Sequence, residues 1–237
     1  MGGSPYLAVI SLGLPNSTSI KFLDKFYSGL QECCSLYHIK LAGGDTVASP
    51  KHLFINICIL GEANKNRVFT RTGARPGDQI FVTGTLGDSA MGLQLLKSRD
   101  KKFKSTKHKR SLIQKHLVPI PRIKESSLLA KSKIQITSMI DLSDGLVQDL
   151  SQLCSTGKVG ADLFEANLPF SQALNSVCQQ EGHNPTDWIL QGGEDYELLF
   201  TIRQEDVKKL NRLFLKADTS ITNIGEVTKF PRKLTLK

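Results

Sequence analysis

The stretch from Met139 to Leu150, MIDLSDGLVQDL, admits few local structures. Ile136, Met139 and Ile140 form an apolar run short enough for a buried strand, and Leu146, Leu150 and Leu153 then recur at helical spacing. The corner between them holds Asp141, Ser143, Asp144 and Gly145. Ser143 or Asp144 is placed to cap the helix, with Gly145 easing the turn. Two carboxylates and a hydroxyl so close in sequence are also hard oxygen ligands for a cation such as Mg²⁺. An N-cap with a spare surface acid accounts for the same residues, so this stretch alone does not choose between the two.

The rest of the chain supplies elements that could pack around this corner. Strands are expected at residues 7–12, 39–42, 52–60, 79–83, 161–164, 196–202, 221–227 and 234–236, and helices near 20–37, 86–97, 111–117, 122–131, 171–180 and 204–215. Leu93 and Leu96 are expected to face inward. Strands and helices interleave without a strict βαβ rhythm, which points to an α+β protein with mixed sheets. The polar break at residues 61–67 is the expected domain boundary, separating residues 1–62 from residues 63–237.

Composition narrows the class. No segment is long and apolar enough to span a membrane, and the N-terminus lacks the basic n-region of a signal peptide. Cys33, Cys34, Cys58, Cys154 and Cys178 are odd in number and form no CxxC, as expected of small buried thiols in a reduced, cytoplasmic protein. The formal net charge of +9 is concentrated between Lys97 and Arg110, where eight lysines and arginines face the single Asp100. A nucleic-acid patch would use such a run. No series of stacking aromatics accompanies it, so a solvated loop between helices is the expected reading, with no nucleic-acid partner.

Three further stretches repeat the pairing of glycine with acid. In Gly43-Gly44-Asp45-Thr46 a strand is expected to end in two glycines that let the backbone approach a ligand, with Asp45 able to hold a metal. A plain Gly-Gly-Asp turn is the alternative. In residues 83–89, TGTLGDS, a strand enters a turn and a helix start whose N–H groups favour phosphate, although the P-loop pattern is absent. A capped strand–helix connection serves as well. In residues 192–197, GGEDYE, three acids precede a hydrophobic strand that has no need of them. Arg71, beside a turn, could neutralise a phosphate. The five histidines lie in no motif with Ser or Cys and read as surface or packing residues. Carboxylates repel a polyphosphate unless divalent cations bridge them, so the set describes a nucleotide-using enzyme without a Walker lysine.

The ordered set GGDTVASP, RTGARPGDQIFVTGTLGDSAMGL, HLVPIPR, IDLSDGLVQDL, LPFS and GGEDYELLFT resembles the thiamine-monophosphate kinases, within the superfamily of aminoimidazole ribonucleotide synthetase and selenophosphate synthetase. The resemblance implies the two-domain architecture of that superfamily and ATP-dependent phosphorylation of thiamine monophosphate to thiamine diphosphate. ATP would be the co-substrate and several Mg²⁺ ions the cofactor. It implies ATP contacts at Tyr27, Gly44, Asp45, Arg71 and Ser143, metal ligands at Asp45, Asp141 and Asp144, and a substrate contact at Glu194. No residue is assigned as nucleophile or general base. Two alternatives stand beside it: another small-molecule phosphoryl-transfer enzyme of the superfamily, and a non-catalytic nucleotide-binding remnant.

Family members also carry, ahead of the region matched here, an acidic GDDAA-type segment, further metal-binding acids and a substrate-contacting histidine. They carry an aromatic segment after the position of Lys237. The resemblance therefore implies an incomplete N-terminal domain, weakened multi-Mg²⁺ binding, unpaired sheet edges with exposed apolar surface, uncertain assembly into the family's homodimer, and low kinase turnover by the 237-residue chain.

Overall fold

The computed structural model describes residues 1–98 and 106–237. The chain divides into two compact units, one of Gly2–Val68 and one of Phe69–Lys237 together with Met1.

In the smaller unit, strand β1 (Gly3–Leu14) is central, parallel to β2 (Lys40–Ala48) and antiparallel to β3 (Phe54–Ala63). Helix α1 (Ile20–Leu36) starts at Ser19, whose side chain accepts the Phe22 N–H, a regular N-cap. The expected end of β2 at the glycines is not found. The strand runs on through Gly43, Gly44 and Asp45 to Ala48, with a bulge opposite Ala8 and Val9. The close approach that Gly44 permits is to the neighbouring strand: a Cβ there would lie 1.7 Å from the Ile10 carbonyl oxygen. Gly44→Ala is therefore expected to destabilise this unit by about 3 kcal/mol or more, the upper range for overpacking, and thermal melting of the variant checks it. Ala8, Ile10 and Leu12 are buried, whereas β2 and β3 are exposed along their whole length, including Val47, Phe54, Ile55, Ile57 and Ile59.

The larger unit is built on a six-stranded mixed sheet in the order β5-β7-β4-β8-β6-β9. The strands are β4 (Gln79–Thr83), β5 (Ile136–Asp141), β6 (Gly160–Leu163), β7 (Leu198–Ile202), β8 (Ile221–Thr228) and β9 (Leu234–Leu236). Only β6 and β9 pair in parallel. Side chains alternate between faces along a strand, and both faces are covered. Ile80, Val82, Ile140 and Leu199 enter one core, while Phe81, Met139 and Phe200 enter the other. This is why QIFVT and LLFTI are buried at every position.

The first core is closed by α2 (Asp88–Lys97), α3 (Lys107–Leu117), α5 (Leu146–Gly157), α6 (Gln172–Glu181) and α7 (Pro185–Gln191). The second is closed by α4 (Ile123–Lys131) and α8 (Val207–Phe214). Helix α7 was not expected from sequence; Asn184 caps it and Pro185 opens it, a start signal without a long apolar repeat behind it. On α2 the buried apolar side chains are Met91 and Leu95 rather than Leu93 and Leu96. The helix starts at Gly87, which puts Met91 and Leu95, four apart, on the core face.

Of the cysteines, Cys34, Cys154 and Cys178 are buried, but Cys33 and Cys58 are exposed. Residues 99–105 of the basic run lie outside the described residues. Residues 107–110 belong to α3, where Lys109 is buried and donates to Glu181 at 2.8 Å, so this part is not a solvated loop. Among the described residues no helix is long and apolar enough to cross a membrane.

Candidate active site

Sheet topology collects the motifs of the larger unit at one edge. Strand β5 ends at Asp141 opposite Leu198, where antiparallel β7 begins, and β4 ends beside β7 with Val82 opposite Leu199. The loops carrying Asp141–Gly145, Gly192–Glu197 and Thr83–Asp88 therefore emerge together.

The first two loops are joined by backbone hydrogen bonds. The Glu194 N–H donates to the Ser143 carbonyl at 2.9 Å, and the Tyr196 N–H to the Leu142 carbonyl at 2.8 Å. Gly193 permits this approach, since a Cβ there would stand 2.5 Å from the Ser143 carbonyl oxygen. Glu194 and Tyr196 both take positive φ, 64° and 52°, an uncommon conformation for non-glycine residues that clusters at functional sites. Between them Asp195 is carried inward, while Glu194 and Tyr196 stay accessible. Burial, reinforced by the charges of Glu194 and Asp141, raises the Tyr196 phenol above its usual range. The side chains of Asp141, Glu194 and Tyr196 thus share one surface.

Helix α5 does not begin as the sequence suggests. Its N-cap is Gly145, and neither Ser143 nor Asp144 caps it. Instead Asp149, 1% exposed and one turn into the helix, reaches back. Its Oδ2 accepts the N–H groups of Ser143, Asp144 and Gly145 at 3.0, 3.0 and 3.1 Å. The Ser143 and Asp144 side chains are thereby released from capping. Asp144 is exposed, and its Oδ2 accepts from Gln148 at 3.4 Å and Gln152 at 3.5 Å. Gln152 also accepts from Arg71 Nη1 at 3.1 Å, so one amide side chain links the expected phosphate-binding arginine to an expected metal ligand.

The start of α2 differs from the expected phosphate seat. The N–H groups of Gly87 and Ser89 donate to the Asp195 carboxylate at 2.7 and 3.2 Å, so an acid of the chain itself takes the place at the helix terminus. Burial pushes Asp195 up to about 7, with the charges of Asp88 and Glu197 adding to it and the two N–H groups opposing it. Because the folded state holds this proton more tightly than the unfolded one, the stabilisation is complete below the ordinary value of 3.8 and is lost as pH rises through about 7. At 1.36 kcal/mol per unit the loss is on the order of 4 kcal/mol. Asp195→Asn mimics the protonated acid. Its melting temperature is expected to match the wild type near pH 4 and to exceed it at pH 8, a divergence that melting curves across this range will test.

Beneath the loops lies an ion-pair network. Arg122 donates through Nε to Glu197 Oε2 at 2.6 Å and through Nη2 to Oε1 at 2.5 Å, and Nη1 reaches Thr219 at 3.2 Å. Glu197 also accepts from Thr83 Oγ1 at 2.6 Å. His116 is no packing bystander: its Nδ1 is 3.0 Å from Ser89 Oγ and 3.4 Å from Glu194 Oε2.

The larger unit thus brings together Arg71, Asp141, Ser143, Asp144 and Glu194. Tyr27, Gly44 and Asp45 belong to the smaller unit. Tyr27 is half exposed on α1, edge-to-face with Phe26 at 5.5 Å, and Asp45 lies on β2 with its carboxylate accepting the Thr46 N–H at 2.8 Å. Among the described residues no group of three or more His, Cys, Asp or Glu side chains is arranged to hold a metal ion. The donors of the larger unit are two carboxylates and a hydroxyl. That set fits Mg²⁺, which is usually held by one or two carboxylates together with substrate phosphates rather than by a full protein cage. Sequence reasoning missed the roles of Asp149, Asp195, Arg122, Gln152 and His116, because their partners lie far away in the chain or, for Asp149, across a helix turn.

Residues 1–63 match the family model "AIR synthase related protein, N-terminal domain", and residues 75–235 match "AIR synthase related protein, C-terminal domain". The thiamine-monophosphate kinase of Aquifex aeolicus is 38% identical over 204 residues, covering 86% of this chain and 64% of that protein. Its counterpart in Buchnera aphidicola subsp. Schizaphis graminum is 36% identical over 236 residues, covering 100% and 70%, and that of Escherichia coli K12 is 38% identical over 228 residues, covering 96% and 67%. The chain thus spans about two thirds of the length of these relatives. Among solved structures, AaThiL complexed with AMPPCP and TMP superposes with a TM-score of 0.87 at 34% identity, covering 99% of this chain and 71% of that one. The thiamine-monophosphate kinase of Stenotrophomonas maltophilia K279a gives 0.89 at 29%, covering 100% and 73%.

Proposed function

Because this chain belongs to the thiamine-monophosphate kinase family, with the AIR synthase related fold, we propose that it takes part in transfer of the γ-phosphoryl group of ATP to thiamine monophosphate. The observation that carries this reading is the joining of the two acidic loops, with Glu194 bonded to the Ser143 backbone and Asp144 linked through Gln152 to Arg71. It supports a reading in which the carboxylates serve a cation, the guanidinium a phosphate and the separate acid the organic part of the substrate.

In this reading a terminal oxygen of thiamine monophosphate attacks the γ-phosphorus in line. The new P–O bond forms as the bond to the β-phosphate oxygen breaks, and ADP leaves with that electron pair. The attacking phosphate is already ionised, so no side chain need act as base, and positioning and charge carry the rate. Arg71 neutralises phosphate charge, and the Ser143 hydroxyl donates to the nucleotide. Asp141 and Asp144 hold Mg²⁺, which when bound offsets the charge on the phosphates. Glu194 attracts the cationic ring of thiamine. In the smaller unit Tyr27, Gly44 and Asp45 are assigned to the nucleotide and its metal, with residues 1–62 as the N-terminal domain, residues 63–237 as the C-terminal one, and the cytoplasm as the compartment.

The test is phosphorus NMR of the purified chain at high concentration with ATP, Mg²⁺ and thiamine monophosphate. Slow formation of ADP and thiamine diphosphate in equal amounts is expected, and none when unphosphorylated thiamine replaces the substrate. Preference for a different acceptor, or no binding of either ligand, would overturn the assignment.

A further inference from the structure

We propose that Asp149 is a positioning residue that holds the Asp141–Gly145 loop ready for Mg²⁺ and nucleotide, a role that rests on the function proposed above. Asp149 Oδ2 gathers three successive N–H groups, of Ser143, Asp144 and Gly145, within 3.0–3.1 Å. The opposite, carbonyl side of the same loop is taken by the N–H groups of Glu194 and Tyr196, which donate to Ser143 and Leu142. With its backbone groups satisfied from both sides, the loop keeps one conformation while its side chains remain available. Asp144 is exposed and Ser143 half-buried, whereas Asp149 is 1% exposed.

The choice of an acid at position 149 has a cost that plain helix building would avoid. A helix start needs only a short capping side chain at its first residue, and here that residue is Gly145, with no side-chain cap. A buried carboxylate beside Asp144 adds like charge to a site that already carries Asp141 and Asp144. What it achieves is a loop fixed in advance of ligand binding, because charge-assisted bonds to three amides exceed what a neutral cap supplies. Preorganisation of this kind matters where a cation must be held by few protein ligands, since the ordering is then not done at the expense of binding.

Two variants and two measurements test this. Amide hydrogen exchange at Ser143, Asp144 and Gly145 reports the loop directly, without reference to any ligand. Calorimetry with a non-hydrolysable ATP analogue, titrated over Mg²⁺ concentration, reports the site. In Asp149→Ala the three amides are expected to exchange at least 10-fold faster, and the Mg²⁺ concentration needed for half-maximal nucleotide binding to rise at least 10-fold. Asp149→Asn keeps one oxygen for the amides and should restore both values to within about 3-fold of wild type; this partial rescue is what a loss of overall stability would not produce. Should Asp149→Ala not fold, the same readings on Asp149→Asn decide, with a 2–3-fold shift in both expected. Unchanged exchange in the folded variants overturns the holding of the loop. Faster exchange with an unchanged Mg²⁺ requirement overturns its importance for the site. If the wild-type protein binds no nucleotide while exchange responds as expected, the holding of the loop stands and it is the proposed function that fails.

Discussion

Replacing Arg122 with methionine lowers the stability of the larger unit by about 3–5 kcal/mol, the range for removing one partner of a buried ion pair. Glu197 is 2% exposed and takes two of its hydrogen bonds from this guanidinium, with a third from Thr83. Without Arg122 its charge has no adequate replacement, because the carboxylate is almost wholly removed from bulk water and a single hydroxyl donor does not offset its burial. At about 2–4 °C per kcal/mol for a unit of this size, the melting temperature falls by about 10 °C. Adding Glu197→Gln to the same chain recovers a substantial part of that loss, since the stranded charge is then gone. A double variant no better than Arg122→Met would show that the packing of the arginine stem, not its charge, is what counts. The arginine also anchors Thr219 and approaches Glu125 at 3.6 Å, so full recovery is not expected.

The second large effect falls on function and leaves stability alone. Asp144→Asn keeps size and shape and removes one charge from the exposed corner between β5 and α5. Among the described residues its carboxylate makes two long hydrogen bonds, at 3.4 and 3.5 Å, so the change in stability stays within about 0.5 kcal/mol, as for other surface positions. A cation that neutralises phosphate charge contributes several kcal/mol to phosphoryl transfer, and each 1.36 kcal/mol is a factor of ten in rate. With Asp144 as one of the two carboxylates proposed to hold it, Asp144→Asn is therefore expected to lower kcat/KM at fixed Mg²⁺ by about 100-fold, with part of the loss recovered at high Mg²⁺. Steady-state kinetics over a Mg²⁺ series, alongside a melting curve, measures both quantities. An equal loss at every Mg²⁺ concentration would mean that Asp144 does not act through the metal.

Arg122 and Asp144 mark the division between what was legible in the chain and what was not. The acidic corner at 141–145 was legible because residues that bind oxygen-loving cations or cap helices are few and lie close in sequence. The strands β4 and β7 were legible for a similar reason: they announce burial by apolar runs with β-branched and aromatic residues. Extending β2 through its glycines was not, since Gly44 reads as a turn residue unless the Ile10 backbone is known to lie against it. Nor was the fate of the TGTLGDS turn: its amides suit an anion, and only the fold reveals that Asp195, far along the chain, is that anion.

Residue type and local spacing determined by themselves most of the strands and helices, that the sheets would be mixed, and that acids and glycines would meet at the corners beside β5 and β7; they missed α7 and the course of β2 through Gly43, Gly44 and Asp45. These are short-range matters of backbone preference and periodic burial. Tertiary structure decided the roles. Which acid faces a ligand and which faces an amide, an arginine or the core depends on partners distant in sequence: Glu197 with Arg122, Asp195 with the start of α2, Glu194 with Ser143 and His116. A carboxylate is the same chemical group in all of these places. Its work is set by how far it is removed from water and by what donates to it, and both are fixed only when the sheet has closed.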